Sequence, residues 1–164
     1  MQMKLIAIVV TVLIVLIGIF YVALKDTKQN VSASEPYASL IGKTLIVERD
    51  VVLARNLAQF KMFEGNFISE EANLYEGVEK IQTIKPGTSF TFTKAFHYRN
   101  AVSGVTHSIL VGKITDQQPP VSFEYSWGSY HSICVEEPCN YWTFPLGFWQ
   151  QTPDDKKYTI NYDD

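Results

Sequence analysis

From Leu5 to Leu24 the chain runs LIAIVVTVLIVLIGIFYVAL, twenty residues without a charge or a proline. A helix rising about 1.5 Å per residue covers about 30 Å over that length, the thickness of a bilayer's hydrocarbon core. Lys4 and Lys25 bracket the run, and Phe20 and Tyr21 sit near its distal end. Snorkelling cations and an aromatic belt belong at those places. A cleaved signal peptide has a shorter apolar core, about 7–15 residues, with a small-x-small site close behind. Here the tolerable site, Val31-Ser32-Ala33, lies well beyond Leu24, and no cysteine follows the run closely enough for a lipid anchor. The expectation is therefore an uncleaved single-pass transmembrane helix over residues 1–24, a signal-anchor touching the membrane through residues 5–24. Lys4, Lys25 and Lys28 do not orient it by count. The short basic head before the apolar run, together with a cysteine pair, places the C-terminal domain outside the cytoplasm, periplasmic or on the outer surface of a bacterial cell.

The whole chain has 164 residues and a net charge of -3. That size suits one modest domain. The acidic balance argues against a nucleic-acid binder. Residues 25–36, KDTKQNVSASEP, are polar, small and without period, and read as a tether. The folded domain is expected over residues 37–164, with strands at residues 43–48, 51–54 and 58–63. Between Glu64 and Lys80, Ile68, Ala72, Tyr75 and Val78 recur at helical spacing, which leaves a short helix and a long loop both open.

The clearest local pattern follows Pro86-Gly87-Thr88. Phe90, Phe92, Phe96 and Tyr98 alternate with polar residues, broken at Lys94, and a turn at residues 100–104 returns the chain through VTHSILVGKIT. This is a hairpin of long, half-buried strands. Residues 121–127 alternate again, 130–144 read as another hairpin, and 158–162 as a last strand. The turn Ile84-Lys85-Pro86-Gly87-Thr88 and the bent strand after it resemble the small SH3-type β-barrels of bacterial envelope proteins over about residues 43–115. The resemblance implies a binding or spacer module and carries no catalytic residue. The fold class expected is one transmembrane α-helix followed by a mainly-β domain, a small SH3-like barrel or sandwich with a short helix or loop insertion.

Cys134 and Cys139 enclose Val135-Glu136-Glu137-Pro138. A hairpin loop of that length sets two cysteines opposite each other, within disulfide reach. Two thiols alone do not complete a zinc site. His97 faces His107 directly if the loop after Asn100 is odd in length, and is offset from it if the loop has four residues. Neither register supplies the third ligand a metal needs, so no metal and no cofactor are expected. His107 and Ser108 are adjacent and point to opposite faces of a strand, so they do not form a base–nucleophile pair. Gly-x-Ser-x-Gly, HExxH and phosphate-loop patterns are absent. No catalytic residue is proposed from the sequence, and the chain is expected not to be an enzyme.

The remaining signal is aromatic. Tyr141, Trp142, Phe144, Phe148 and Trp149 fall within nine consecutive residues. Such a run fills the core, presents a surface that a protein or glycan grips, or dips as a loop into the membrane surface. Pro145 and Gly147 interrupt regular pairing and favour a shaped loop, so these five residues are the candidate partner-binding set. The resulting functional reading is a non-catalytic, membrane-anchored envelope module that binds an unknown protein or glycan. The alternatives are an immunity-type inhibitor of a delivered toxin, and an envelope hydrolase.

Overall fold

The computed structural model describes residues 2–57, 62–71, 73–133 and 139–160, with side chains described from residue 10 onward. Helix α1 spans Gln2–Ala23. Among the described residues eleven strands follow: β1 (Thr27–Asn30), β2 (Thr44–Ile46), β3 (Val51–Asn56), β4 (Asn66–Ser69), β5 (Val78–Ile84), β6 (Ser89–Arg99), β7 (Thr106–Ile114), β8 (Val121–Ser126), β9 (Ser129–His131), β10 (Tyr141–Phe144) and β11 (Asp154–Tyr158). A single 3₁₀ turn at Tyr37–Ser39 connects β1 to β2.

The large sheet has the order β1-β6-β7-β8-β4-β3-β5, with β2 paired to the first part of β6 on the side that β1 takes further along. All its pairings are antiparallel except β4 with β8, which meet in parallel at Phe67 and Glu124. A smaller sheet, β11-β10-β9, shares the main core with it. Phe90, Phe92, Leu110, Phe123 and Tyr125 of the large sheet enter that core together with Trp142, Phe144, Phe148 and Trp149. The opposite face of the large sheet is partly covered: Phe96, Tyr98 and Ile109 pack with Met62 and Phe63.

The chain passes from one sheet to the other at Gly128. Its φ is +107°, and a Cβ there would lie 2.6 Å from the Phe144 ring, so only glycine allows both the turn and the packing behind it. The loop after β10 is drawn inward by its carbonyls. Arg49 donates to the Leu146 and Gly147 oxygens at 2.6 and 3.1 Å and to the Glu70 carboxylate at 2.9 Å, while the Trp127 indole donates to the Pro145 oxygen at 2.8 Å. Phe148 and Trp149 are thereby turned into the core.

Several expectations are corrected. Among the described residues strand β5 has only β3 beside it and β1 only β6, so the large sheet does not close, and the SH3-like barrel is withdrawn in favour of a mixed, mainly antiparallel β domain. Among the described residues no helix is long and apolar enough to cross a membrane. The transmembrane anchor over 1–24, the membrane contact through 5–24 and the single-pass location in a cell envelope are corrected on that finding. The polar stretch 25–36 is not a free tether. Residues Thr27–Asn30 pair with β6, and Val31 is buried in the main core with its amide donating to the Ala95 oxygen at 3.0 Å.

The stretch 64–80 holds β4 and the start of β5 rather than a helix. Ile68 is buried there because it faces Leu53 across the β3–β4 ladder, not through a helical stripe. Residues 58–61 of the expected third strand lie outside the described residues. The last strand, β11, ends at Tyr158, where the sequence pattern begins it.

A polar recess over a buried histidine

The β6–β7 hairpin decides which side chains meet. Its pairing shifts by one residue between Phe92 and Lys94, a β-bulge at the place where the alternation breaks. Thr93 occupies the bulge and its hydroxyl donates to the Val111 oxygen at 3.2 Å. Beyond it His97 stands opposite Ser108, and His107 opposite Tyr98. The two histidines are therefore separated, as the four-residue alternative required. Among the described residues no group of three or more His, Cys, Asp or Glu side chains could hold a metal ion.

Opposed residues in neighbouring antiparallel strands share a face. Gln29, His97 and Ser108 thus form one rung across β1, β6 and β7, and Thr27, Arg99 and Thr106 form the next. The first rung is capped from the core side. The Tyr37 hydroxyl lies 2.9 Å from His97 Nε2 and 2.7 Å from Ser108 Oγ, and all three side chains are buried. The phenol can accept from serine and donate to the imidazole, or run the order in reverse; either leaves each group satisfied. The His97 ring stacks on Trp142 with centroids 4.2 Å apart. Burial holds the imidazole well below its ordinary range, at about 4, so it is neutral at physiological pH.

The second rung is open. Together with Gln29, His97, Gly104, and Tyr130 and Ser132 of the β9 segment, it lines a cavity of about 470 Å³. Tyr130 and Ser132 are two apart in an extended segment and so present the same side. The Tyr130 ring packs on Trp142 at 5.2 Å and its hydroxyl donates to Asn140 Oδ1 at 3.1 Å. Arg99 also borders a shallower depression with Thr27, Lys25 and the end of α1. Arg99 makes no ion pair among the described residues. Nearby Asp26 is occupied, accepting from the Tyr98 hydroxyl at 2.7 Å and the Ala101 amide at 2.9 Å.

The arrangement resembles a serine–base relay only in composition. Ser108 is wholly buried, and its described contact with His97 passes through Tyr37. A nucleophile has to reach substrate and touch its base, so these groups form a core network with a polar recess above it.

The residues singled out in the sequence fall elsewhere. Trp142, Phe144, Phe148 and Trp149 are core residues, the most open of them 9% exposed. Tyr141 is half-buried, stacked on His131 at 4.7 Å with the Lys157 ammonium 4.5 Å from its ring centroid. Trp142 therefore backs the recess through His97 and Tyr130, while Phe144, Phe148 and Trp149 fill the main core. The expected disulfide of Cys134 and Cys139 falls on a turn that lies outside the described residues, which resume at Cys139. The sequence reading missed Thr27, Gln29, Arg99, Thr106 and Ser132. Alternation alone places Arg99 on the His97 face, but the recess depends on β1 pairing with β6.

No protein-family model, curated protein or solved structure matches the chain. Without a closed barrel or a matching structure, the SH3-type resemblance is withdrawn.

Proposed function

We propose that the β domain is a non-catalytic binding module that engages a partner protein through the recess between β1, β6, β7 and β9. The observation that carries this reading is the recess itself. Its volume, about 470 Å³, is within the range of ligand sites, and polar side chains converge at its mouth over a rigid, fully packed floor. Loops and strand ends held on such a scaffold bind without a large ordering cost. Its inner rung offers no reachable nucleophile, which supports binding over hydrolysis. A photo-crosslinking residue placed at Ser132 tests the reading against one placed at the exposed Tyr75, far along the chain. A discrete protein adduct from position 132 alone is expected; adducts from position 75 alone would move the site elsewhere.

A second reading, an immunity-type inhibitor of a delivered toxin, is favoured by charge. The chain carries -3, and Glu71, Glu76 and Glu79 are exposed along the β4–β5 connection and edge strand β5. An anionic surface accelerates capture of a basic partner. Cells lacking the chain should then lose survival beside a toxin-delivering strain, and regain it with the intact chain but not with Glu71, Glu76 and Glu79 all changed to lysine. Equal survival with and without the chain counts against inhibition.

A further inference from the structure

We propose that the recess recognises a carboxylate, with the Arg99 guanidinium as its charge partner and the Thr27, Thr106 and Ser132 hydroxyls as flanking donors. This rests on the recess being the binding site. The argument begins with charge. Arg99 is the cation among the described lining residues, and no lining residue is acidic. It has no ion pair among the described residues, whereas Lys28, Arg49, Arg55 and Lys85 each hold a carboxylate. Lys25 borders the adjoining depression and adds a second positive charge beside Thr27 and Arg99.

The neutral groups fit the same ligand. Three hydroxyls supply donors on β1, β7 and the β9 segment without adding charge. The floor contributes no negative charge either, since His97 is neutral. Behind it, the Trp142 indole N–H is buried without an acceptor among the described residues, and its ring lies against both His97 and Tyr130. A recess lined by one cation, neutral hydroxyls and no acid favours an anion over a cation or an apolar group. One planar guanidinium matches one planar carboxylate by paired hydrogen bonds. A dianionic phosphate calls for more positive charge than this rim provides. The cavity has room for more than the carboxylate, so the group can arrive on a peptide or as a small free acid.

The test uses the full chain and four probes: acetyl-trialanine as the free acid, the same peptide as its C-terminal amide, succinate, and inorganic phosphate. Binding is followed by calorimetry and by amide chemical shifts. The peptide acid should bind at least about tenfold more tightly than the amide, the difference one charge-assisted hydrogen-bonded pair makes. Arg99→Gln should erase that difference and Arg99→Lys should keep part of it, with the melting temperature unchanged in both because Arg99 is exposed. Succinate binding as tightly as the peptide acid assigns the carboxylate to a small acid; weaker binding assigns it to a peptide. Acid and amide binding alike would overturn the carboxylate while leaving the recess as a binding site. Phosphate binding more tightly than either acid would do the same. If no probe shifts a recess amide, the recess reading falls with the inference.

Discussion

The hydroxyl of Tyr37 lies 2.9 Å from Nε2 of His97, sixty residues away in the chain. That contact pins the 3₁₀ turn against the middle of β6 and closes a buried polar chain with Ser108. Removing the phenol oxygen takes a hydrogen bond from each of two buried groups, which costs about 1–3 kcal/mol. Tyr37→Phe should therefore destabilise by about that amount in urea denaturation. Adding Ser108→Ala should cost less than the two single losses combined, because the orphaned hydroxyl disappears with it. Additive losses would show that the groups do not act as one network.

Stability should fall with acid through His97. The folded imidazole titrates at about 4 and the ordinary value is 6.5, so between those pH values the unfolded chain binds a proton that the folded chain does not. The contribution is complete above pH 6.5, is lost as pH falls toward 4, and is level below that; it amounts to about 3 kcal/mol. His107, also lowered by burial, acts in the same direction. Glu124, raised by burial, acts in the opposite one. The comparison is therefore with His97→Gln, whose denaturation midpoint should vary much less between pH 4 and 6.5. An unchanged pH slope in the variant would place the titration elsewhere.

Trp142 and Phe148 are each 1% exposed. Truncating either to alanine should cost about 3–5 kcal/mol. Arg99→Gln, at the open rung, should stay within about 0.5 kcal/mol. Thermal melts of the three variants separate core from rim. A Trp142→Ala domain that melts normally would contradict the core placement.

Gly112 and Gly128 are among the glycines closed to side chains. A Cβ at Gly112 would lie 2.5 Å from the Phe123 ring, and one at Gly128 2.6 Å from the Phe144 ring, with φ already positive at Gly128. Alanine at either position should cost about 1–3 kcal/mol through forced repacking. Gly65→Ala, with nothing near its Cβ, is the control and should be close to neutral. Equal melting of all three variants would mean that the rings move aside freely.

The hairpin of Phe90 to Ile114 was legible in the sequence because alternation has a period that one buried face enforces. Its register was not, because one bulged residue at Thr93 exchanges His107 for Ser108 opposite His97. The aromatic run was legible as large apolar volume. Its direction was set by Arg49 and Trp127 gripping the carbonyls of residues 145–147, from positions whose sequences carry no sign of it. Residues 27–30 looked like linker since they are polar and short; pairing with β6 supplies backbone hydrogen bonds that need no apolar pattern. Thr27 and Gln29 of the recess stand on that strand, so the site lay beyond reach of local reading.

Nitrogen-15-resolved amide spectra of the full chain, titrated with acetyl-trialanine free acid, test most directly whether the domain binds through the recess. Shifts concentrated on Gln29, His97, Arg99, Thr106, Tyr130 and Ser132 are the predicted result, with the amides of β3 and β5 unmoved. Shifts centred on β3 and β5, or none at any concentration up to the millimolar range, would contradict it.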